Sequence, residues 1–499
     1  MTVPDVLVIG AGPAGLAAAR AARRRGASVT LLDSSDELGG QYWRHLPPQR
    51  PSEREAVLHH GWSAFTALRE WLERSAGVTI IRQAYVWAIE TREGRPGAVF
   101  VVVGEVDGED RPQLVFEPGA LILATGAYDR TLPFPGWDLP GVFTAGAAQA
   151  LAKGERVAIG RRVVVAGAGP FLLPVAASLA ATGSTVLGVY EANRTASLIA
   201  GWLPRPWQLL RAARKGGELA GYVRGHLRHR IPYRVGKAVI RADGTDRVET
   251  VTIASVDAAW SPLAGTEQTI AVDAVCVGHG FTPRLELAIA AGCALSDDDF
   301  VWVDERQQTS IPLVFAAGEV TGIGGVDLAL AEGEIAGHLA AGGSIQDAAL
   351  APALAHRRTY RSFASRIENA HGVAGGWSEW LTPDTVVCRC EEVTYGVLCD
   401  AASATGGASL RSLKLSSRAG LGICQGRVCG RTIEDLIAKR APGLAGGPGH
   451  SDAPVSSAAD RVRTDRRPIA VPIRLGELAA EPTPLSSPSL SDRLRERHP

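Results

Sequence analysis

Residues 5–33 read DVLVIGAGPAGLAAARAARRRGASVTLLD. The apolar, β-branched run from Asp5 to Ile9 predicts a buried strand, and Gly10, Gly12 and Gly15 follow it directly. An alanine-rich stretch from Pro13 to about Arg25 predicts a helix, and a second apolar strand ends at Asp33. In such a βαβ unit each glycine has a separate task. Gly10 permits the tight turn, Gly12 lets the backbone approach a pyrophosphate, and Gly15 lets helix and strand pack closely. The helix N-terminus then faces the phosphate charge. Asp33, at the end of the next strand, is placed to accept hydrogen bonds from an adenosine ribose. The pattern predicts a dinucleotide site.

A similar unit returns at residues 161–191, RRVVVAGAGPFLLPVAASLAATGSTVLGVYE. Gly167, Gly169 and Glu191 occupy the equivalent positions, but Leu172 stands where the third glycine would be. A side chain there should push helix and strand apart or narrow the phosphate approach. Glu191 would suit NAD better than NADP. The unit therefore offers NAD(P) or another nucleotide a candidate site, and Leu172 favours one that is idle or differently occupied. Between the two units, segments near residues 86–89, 99–103 and 113–116 predict an antiparallel meander.

With 499 residues, the length suggests about three domains. Lys+Arg and Asp+Glu balance at 52 each, so no field of one sign draws the chain to nucleic acid or acidic lipid. The first strand begins a few residues after Met1, with no secretory pattern before it, so a cytoplasmic location is expected. No charged residue lies between Arg162 and Glu191. That stretch is long enough to cross a bilayer, yet it divides into strand, glycine turn and helix, so no transmembrane span is expected.

Three stretches beyond Asp33 indicate FAD. ELGGQY at 37–42, ILATGA at 122–127 and VFAAGEVTG at 314–322 together resemble the two-dinucleotide-domain flavoproteins of the glutathione-reductase type. The resemblance implies that Gly40, Gln41, Thr125, Gly126, Gly318 and Glu319 line the FAD site, with Glu319 on the ribityl chain. Aspartate is commoner at that last position. The segment from Gly324 to Gly337 would begin a helix whose positive end faces the flavin. Disulfide reductases of this fold carry a closely spaced cysteine pair against the flavin. Here the first cysteine is Cys276 and no pair occurs before Cys388, so disulfide reduction is not expected. Cys276 and Cys293 are expected to be core thiols.

Four of the seven cysteines lie in VVCRCEEVTYG (386–396) and LGICQGRVCGR (421–431), as Cys388, Cys390, Cys424 and Cys429. Two disulfides fit poorly with a reducing compartment. Structural zinc usually takes C-x2-4-C pairs on knuckles, and the intervening stretch reads instead as two short helices. This part resembles the small helical [2Fe–2S] domain of the bacterioferritin-associated-ferredoxin type. The resemblance implies that the four thiolates hold the cluster and that Cys399 does not; zinc stays an alternative. A flavin can take two electrons and release them singly to a one-electron cluster.

The expected fold is α/β: a two-dinucleotide-binding-domain flavoprotein with a small helical [2Fe–2S] domain. Residues 1–145 and 275–345 would form a Rossmann-like FAD domain and 146–274 an inserted NAD(P)-like domain. Residues 346–440 would hold a helical linker and the cluster domain, and 441–499 a Pro/Gly-rich tail in which RPIAVPIRLGELA could dock. Nearly the whole chain resembles the family of FAD/[2Fe–2S] subunits found in opine (octopine/nopaline) oxidase and hydrogen cyanide synthase, and much of it the α subunit of sarcosine oxidase. The stretches that carry this are ATGAYDRTLPFPGWDLPGVFTAGAAQALAK, VCVGHGFTPRLELA, QTSIPLVFAAGEVTGIGGVDLALAEG and CQGRVCG. The resemblance implies a heteromer. A separate FAD-containing subunit would oxidise a C–N bond of an amino or imino acid, and this chain would receive the electrons and pass them on. The alternatives are a stand-alone NAD(P)H-dependent flavin reductase and a non-enzymatic iron–sulfur module. His279 is the best single candidate near the flavin edge, but no acid–base constellation can be assembled and no catalytic residue is assigned. Substrate and electron acceptor are not legible.

Overall fold

The computed structural model describes residues 3–47, 49–50, 55–108, 111–405, 410–438, 466–467 and 469–483. They fall into two compact units. The first draws on 1–127, 283–364 and 466–499, the second on 128–282 and 365–465.

The first unit is built on a five-stranded parallel sheet. In spatial order its strands are Val314–Ala316, Ala120–Leu123, Val6–Ile9, Val29–Leu32 and Val78–Ile81. Both faces are covered, so the Val6–Ile9 and Ala120–Leu123 strands are unbroken apolar runs without alternation. The Pro13–Arg24 helix opens with proline in its first turn, where the missing N–H costs nothing, and ends on Arg23 and Arg24, whose charges suit its negative end. It packs against the Gly325–Ala340 helix through glycine: a Cβ on Gly333 or Gly337 would stand 2.0 Å from Ala14 O or 2.1 Å from Ala18 O. The expected meander is present as Ala84–Ile89, Val99–Val103 and Gln113–Phe116.

The second unit also holds a parallel sheet, ordered Tyr233–Val235, Thr185–Glu191, Arg162–Gly167, Ala274–Gly278 and Val142–Thr144. Two strands expected on the first unit's side, Ala274–Gly278 and Val142–Thr144, pair here: Val275 sits opposite both Val164 and Val142. Both strands are short, three and five residues, and carry little periodicity of their own, which hides their allegiance in sequence. The uncharged stretch from residue 162 to 191 forms strand, Leu172–Ala181 helix and strand. Among the described residues no helix is long and apolar enough to cross a membrane.

The thiol-bearing segment belongs to this second unit. One apolar core runs from Val164, Val275 and Trp260 through Trp377 and Trp380 to Cys388, Leu398, Cys429 and Ile433. Polar contacts add to it. Trp137 Nε1 donates to Val386 O at 2.5 Å, Thr432 Oγ1 donates to Thr131 O, and Arg130 pairs with Asp435.

Most of the tail lies outside the described residues, but part of it docks on the first unit. Ala470 N donates to Trp87 O, Thr483 N donates to Gln113 O, and the buried Arg111 grips both oxygens of Glu477 at 2.6 and 2.7 Å. The expected extended segment ends in a short helix, Leu475–Ala479.

Candidate functional site: two dinucleotide cradles and a thiol cluster

All strands of a parallel sheet release their chains at the same edge, where such folds bind ligands. In the first unit the turns leaving Val6–Ile9, Val29–Leu32, Ala120–Leu123 and Val314–Ala316 carry Gly10–Gly15, Asp33, Thr125–Gly126 and Gly318–Glu319. The glycines are sterically required. Gly10 has φ +103°, and a Cβ on it would stand 2.3 Å from Ala124 O; on Gly15 it would stand 1.7 Å from Gly10 O. Gly40 brings its own loop onto the turn, because a Cβ there would lie 2.8 Å from Gly12 Cα. Gln41 beside it is exposed. Gly126, at φ +74°, has nothing within 4 Å of its missing side chain. Backbone can approach a ligand there.

Asp33 is buried, and its Oδ2 accepts from Ala11 N at 2.5 Å while Oδ1 accepts from Ser35 N at 2.7 Å. Burial pushes its carboxyl above the usual range, against the pull of these donors. Thr125 Oγ1 donates to Arg284 O, and Arg284 N donates to Gly126 O, which fixes that turn. Glu319 accepts from Gly325 N at 3.2 Å, and burial pushes its carboxyl up to about 7.

A residue that motif reading missed holds this last turn. Glu332, 2% exposed on the Gly325–Ala340 helix, accepts from Gly318 N at 3.1 Å and from Thr321 Oγ1 at 2.9 Å. Its other oxygen accepts from Arg361, which also donates to the buried Gln307. Its only sequence signal was an acid on the apolar side of a glycine-rich helix.

The second cradle has the same frame in a different state. A Cβ on Gly167 would stand 1.8 Å from Gly278 O, so glycine is as necessary here as at Gly10. Leu172 is fully buried beside Gly278. Glu191 is 0% exposed and accepts from Gly169 N, Asn193 N, Asn193 Nδ2, Tyr233 OH and His371 Nδ1. His279, expected at the flavin edge, directly follows the Ala274–Gly278 strand of this second unit. It is 4% exposed, tilted against Trp260 and Trp380, and its Nδ1 has no partner. Burial pushes its pKa down to about 3, so the ring is neutral at ordinary pH.

The four thiols come together in two pairs. Cys388 is in hydrogen-bonding contact with Cys429, and Cys390 with Cys424; charge interactions link one pair to the other. The Cys429 contact and backbone amides, Gly420 N among them at 3.4 Å, pull the Cys388 thiol down to about 6. The Cys429 thiol is pushed up by the same contact and by burial. Gly422 lets the two loops meet, since a Cβ there would stand 2.3 Å from Cys390 Cβ. Glu391 and Arg418 pair across the loops at 2.7 Å. Of the two arginines beside the thiols, Arg389 is exposed, and Arg427 donates to Cys424 O. Among the described residues no three His, Cys, Asp or Glu side chains are arranged to hold a single metal ion. Two thiol pairs suit a two-iron cluster, in which each iron takes two thiolates, better than one tetrahedral zinc. Cys276 and Cys293 are buried with thiols pushed up by burial, as core cysteines should be. Cys399 hydrogen-bonds Tyr395 on its own helix.

Comparison with known proteins agrees with these parts. Residues 4–333 match the pyridine nucleotide-disulphide oxidoreductase family, and residues 386–439 match the BFD-like [2Fe–2S] binding domain. Hydrogen cyanide synthase subunit HcnB of Pseudomonas aeruginosa is 33% identical over 88% of this chain and 93% of its own. An opine oxidase subunit of Agrobacterium tumefaciens is 32% identical over 96% of this chain and 92% of its own. The crystal structure of L-proline dehydrogenase from P. horikoshii superposes with a TM-score of 0.64 at 20% identity, covering 96% of this chain and 80% of that one, which shows a shared fold. The chain belongs to the pyridine nucleotide-disulphide oxidoreductase family, as an FAD-dependent member with a BFD-like [2Fe–2S] domain.

Proposed function

We propose that this chain is the electron-transferring subunit of a heteromeric amino- or imino-acid dehydrogenase, of opine, glycine or proline type. A separate FAD-containing subunit would oxidise the C–N bond. The observation that carries the reading is the presence, in one chain, of a four-turn FAD cradle and a domain of paired thiols. Over nearly its whole length that chain is similar to proteins named as subunits of a hydrogen cyanide synthase and an opine oxidase. Bound FAD accepts electrons in pairs and releases them singly, and a [2Fe–2S] cluster carries one at a time.

Within this reading the Gly10–Gly15 turn and the helix N-terminus receive the pyrophosphate, and Asp33 takes the adenosine ribose. Gly40, Gln41, Thr125 and Gly126 line the cradle. Glu319 takes the ribityl chain, on a turn that Glu332 fixes through Gly318 N. Cys388, Cys390, Cys424 and Cys429 hold the cluster, and a cytoplasmic setting keeps them reduced.

The test is anaerobic. The purified chain is mixed with a co-expressed C–N-oxidising flavoprotein and an amino- or imino-acid substrate, and absorbance of flavin and cluster is followed. Bleaching of both should require the partner and substrate together. Rapid bleaching by NADH alone, without a partner, would replace this reading with a stand-alone reductase.

A further inference from the structure

Asp33 and Glu191 end equivalent strands but differ in what they can still accept. A carboxylate offers about four lone-pair sites. Asp33 meets the Ala11 and Ser35 amides and the Ser35 hydroxyl, which can rotate away. Glu191 meets five donors: Gly169 N at 2.8 Å, Asn193 Nδ2 at 3.0 Å, Asn193 N at 3.1 Å, Tyr233 OH at 3.3 Å and His371 Nδ1 at 3.0 Å. No capacity is left for ribose hydroxyls. The Gly169 amide, which a pyrophosphate would need, already donates to the same carboxylate.

His371 comes from a distant part of the chain, the last residue of the Ala351–His371 helix. Its Cβ lies 3.9 Å from where a Gly169 Cβ would stand, so the imidazole covers the glycine turn. Both ring nitrogens are engaged in a consistent sense. Trp202 Nε1 can only donate, and it lies 3.1 Å from His371 Nε2. Nε2 is therefore the acceptor, and Nδ1–H donates to Glu191. The end of the helix is itself anchored. Arg366 donates to Trp202 O, Arg205 O and Gln208 Oε1 at 2.8, 3.0 and 2.9 Å. Gly201 meets the helix so closely that a Cβ on it would stand 2.4 Å from Ala370 Cα.

We infer that His371 closes the second dinucleotide cradle, standing where the ribose and diphosphate of an adenine dinucleotide would bind, so the chain takes no electrons from NAD(P)H. The inference rests on the reading that electrons arrive from a partner protein, and it names the residue that shuts the other entrance. His371 is a positioning residue in this role, acting through Glu191 and Gly169.

The FAD-loaded full chain is titrated by calorimetry with ADP-ribose and with ATP, and anaerobically with NADH and NADPH. The wild type should give no binding heat at micromolar ligand and no flavin bleaching. His371→Ala and Arg366→Ala, which unseats the turn without touching the cradle, should each tighten ADP-ribose binding about tenfold or more. Unchanged FAD content and unchanged iron–sulfur absorbance check that the first and the second unit, respectively, have folded in each variant. Micromolar binding of ADP-ribose or ATP to the wild type overturns the closure. If it comes without NADH bleaching, the electron-transfer reading survives; rapid bleaching ends both. A folded pair of variants that gain no binding also overturns the closure.

Discussion

Arg361 donates twice to Glu332, Nη2 and Nε lying 2.9 and 3.2 Å from the same carboxylate oxygen. The other oxygen is thereby left to Gly318 N and Thr321 Oγ1, on the turn that presents Glu319. Arg361 is partly exposed and Glu332 is not, so the contact matters through what it does to the buried partner.

Glu332→Ala should therefore loosen the Gly318–Glu319 turn rather than unfold the unit. Leaving the Gly318 amide without its acceptor costs about 1–3 kcal/mol. FAD affinity, measured by recovery of flavin fluorescence, should fall about tenfold or more, with circular dichroism unchanged. Unaltered FAD affinity with a lowered melting temperature would make Glu332 a stability residue only.

Gly333 and Gly337 let the Gly325–Ala340 helix touch Ala14 and Ala18. Gly333→Ala adds a methyl where there is no room, and overpacking of this kind costs about 1–3 kcal/mol. Gly221, in the Ala213–Arg228 helix, has open space around its missing side chain. Gly221→Ala should be neutral or stabilising by up to about 1 kcal/mol. Thermal melts should show a lowered midpoint for Gly333→Ala and an unchanged or raised one for Gly221→Ala; a raised midpoint for both would mean that helix propensity, not the contact, decides.

His279 gives the second unit a defined response to acid. Its ring is held neutral down to about 3, whereas an unfolded histidine titrates near 6.5. Between these values the unfolded state binds the extra proton, so native stability present at neutral pH is lost as pH falls from 6.5 towards 3. One pKa unit corresponds to about 1.4 kcal/mol, so lowering pH from 7 to 5 should cost about 2 kcal/mol through this group. His279→Phe should remove that part of the loss in urea denaturation at the two pH values. Equal acid sensitivity in both proteins would place the titrating group elsewhere.

The legible parts of the molecule are the local ones. The first cradle shows in sequence because its glycines, helix start and acid lie within residues 5–33. The second is equally visible as a frame, but its state depends on Tyr233 and on His371, 180 residues from Glu191. No periodicity records such a contact. Glu332 is hidden for the same reason, since its arginine lies 29 residues away on another helix. His279 was legible as a histidine after a strand, but its depth was not, because Trp260 and Trp380 close over it from separate segments. The thiols were the reverse case: their spacing marked two short stretches, a resemblance implied that all four act together, and the structure added which lies beside which across the stretches.

That pairing yields the sharpest test of the cluster site. With Cys388 beside Cys429 and Cys390 beside Cys424, each pair combines one thiol from each loop, and a two-iron cluster held by four thiolates would lose, with any one of them, one of the two protein ligands of an iron. Alanine at any of the four should abolish the visible iron–sulfur absorbance and the acid-labile sulfide, while Cys399→Ala and Cys276→Ala should keep two irons per FAD. Gly422→Ala tests the geometry without removing a ligand. Its methyl would stand 2.3 Å from Cys390 Cβ and so drive the loops apart, and iron content should fall by about half or more while the helices persist. One zinc per chain in the wild type, with no sulfide, would instead mean that all four thiols converge on a single ion.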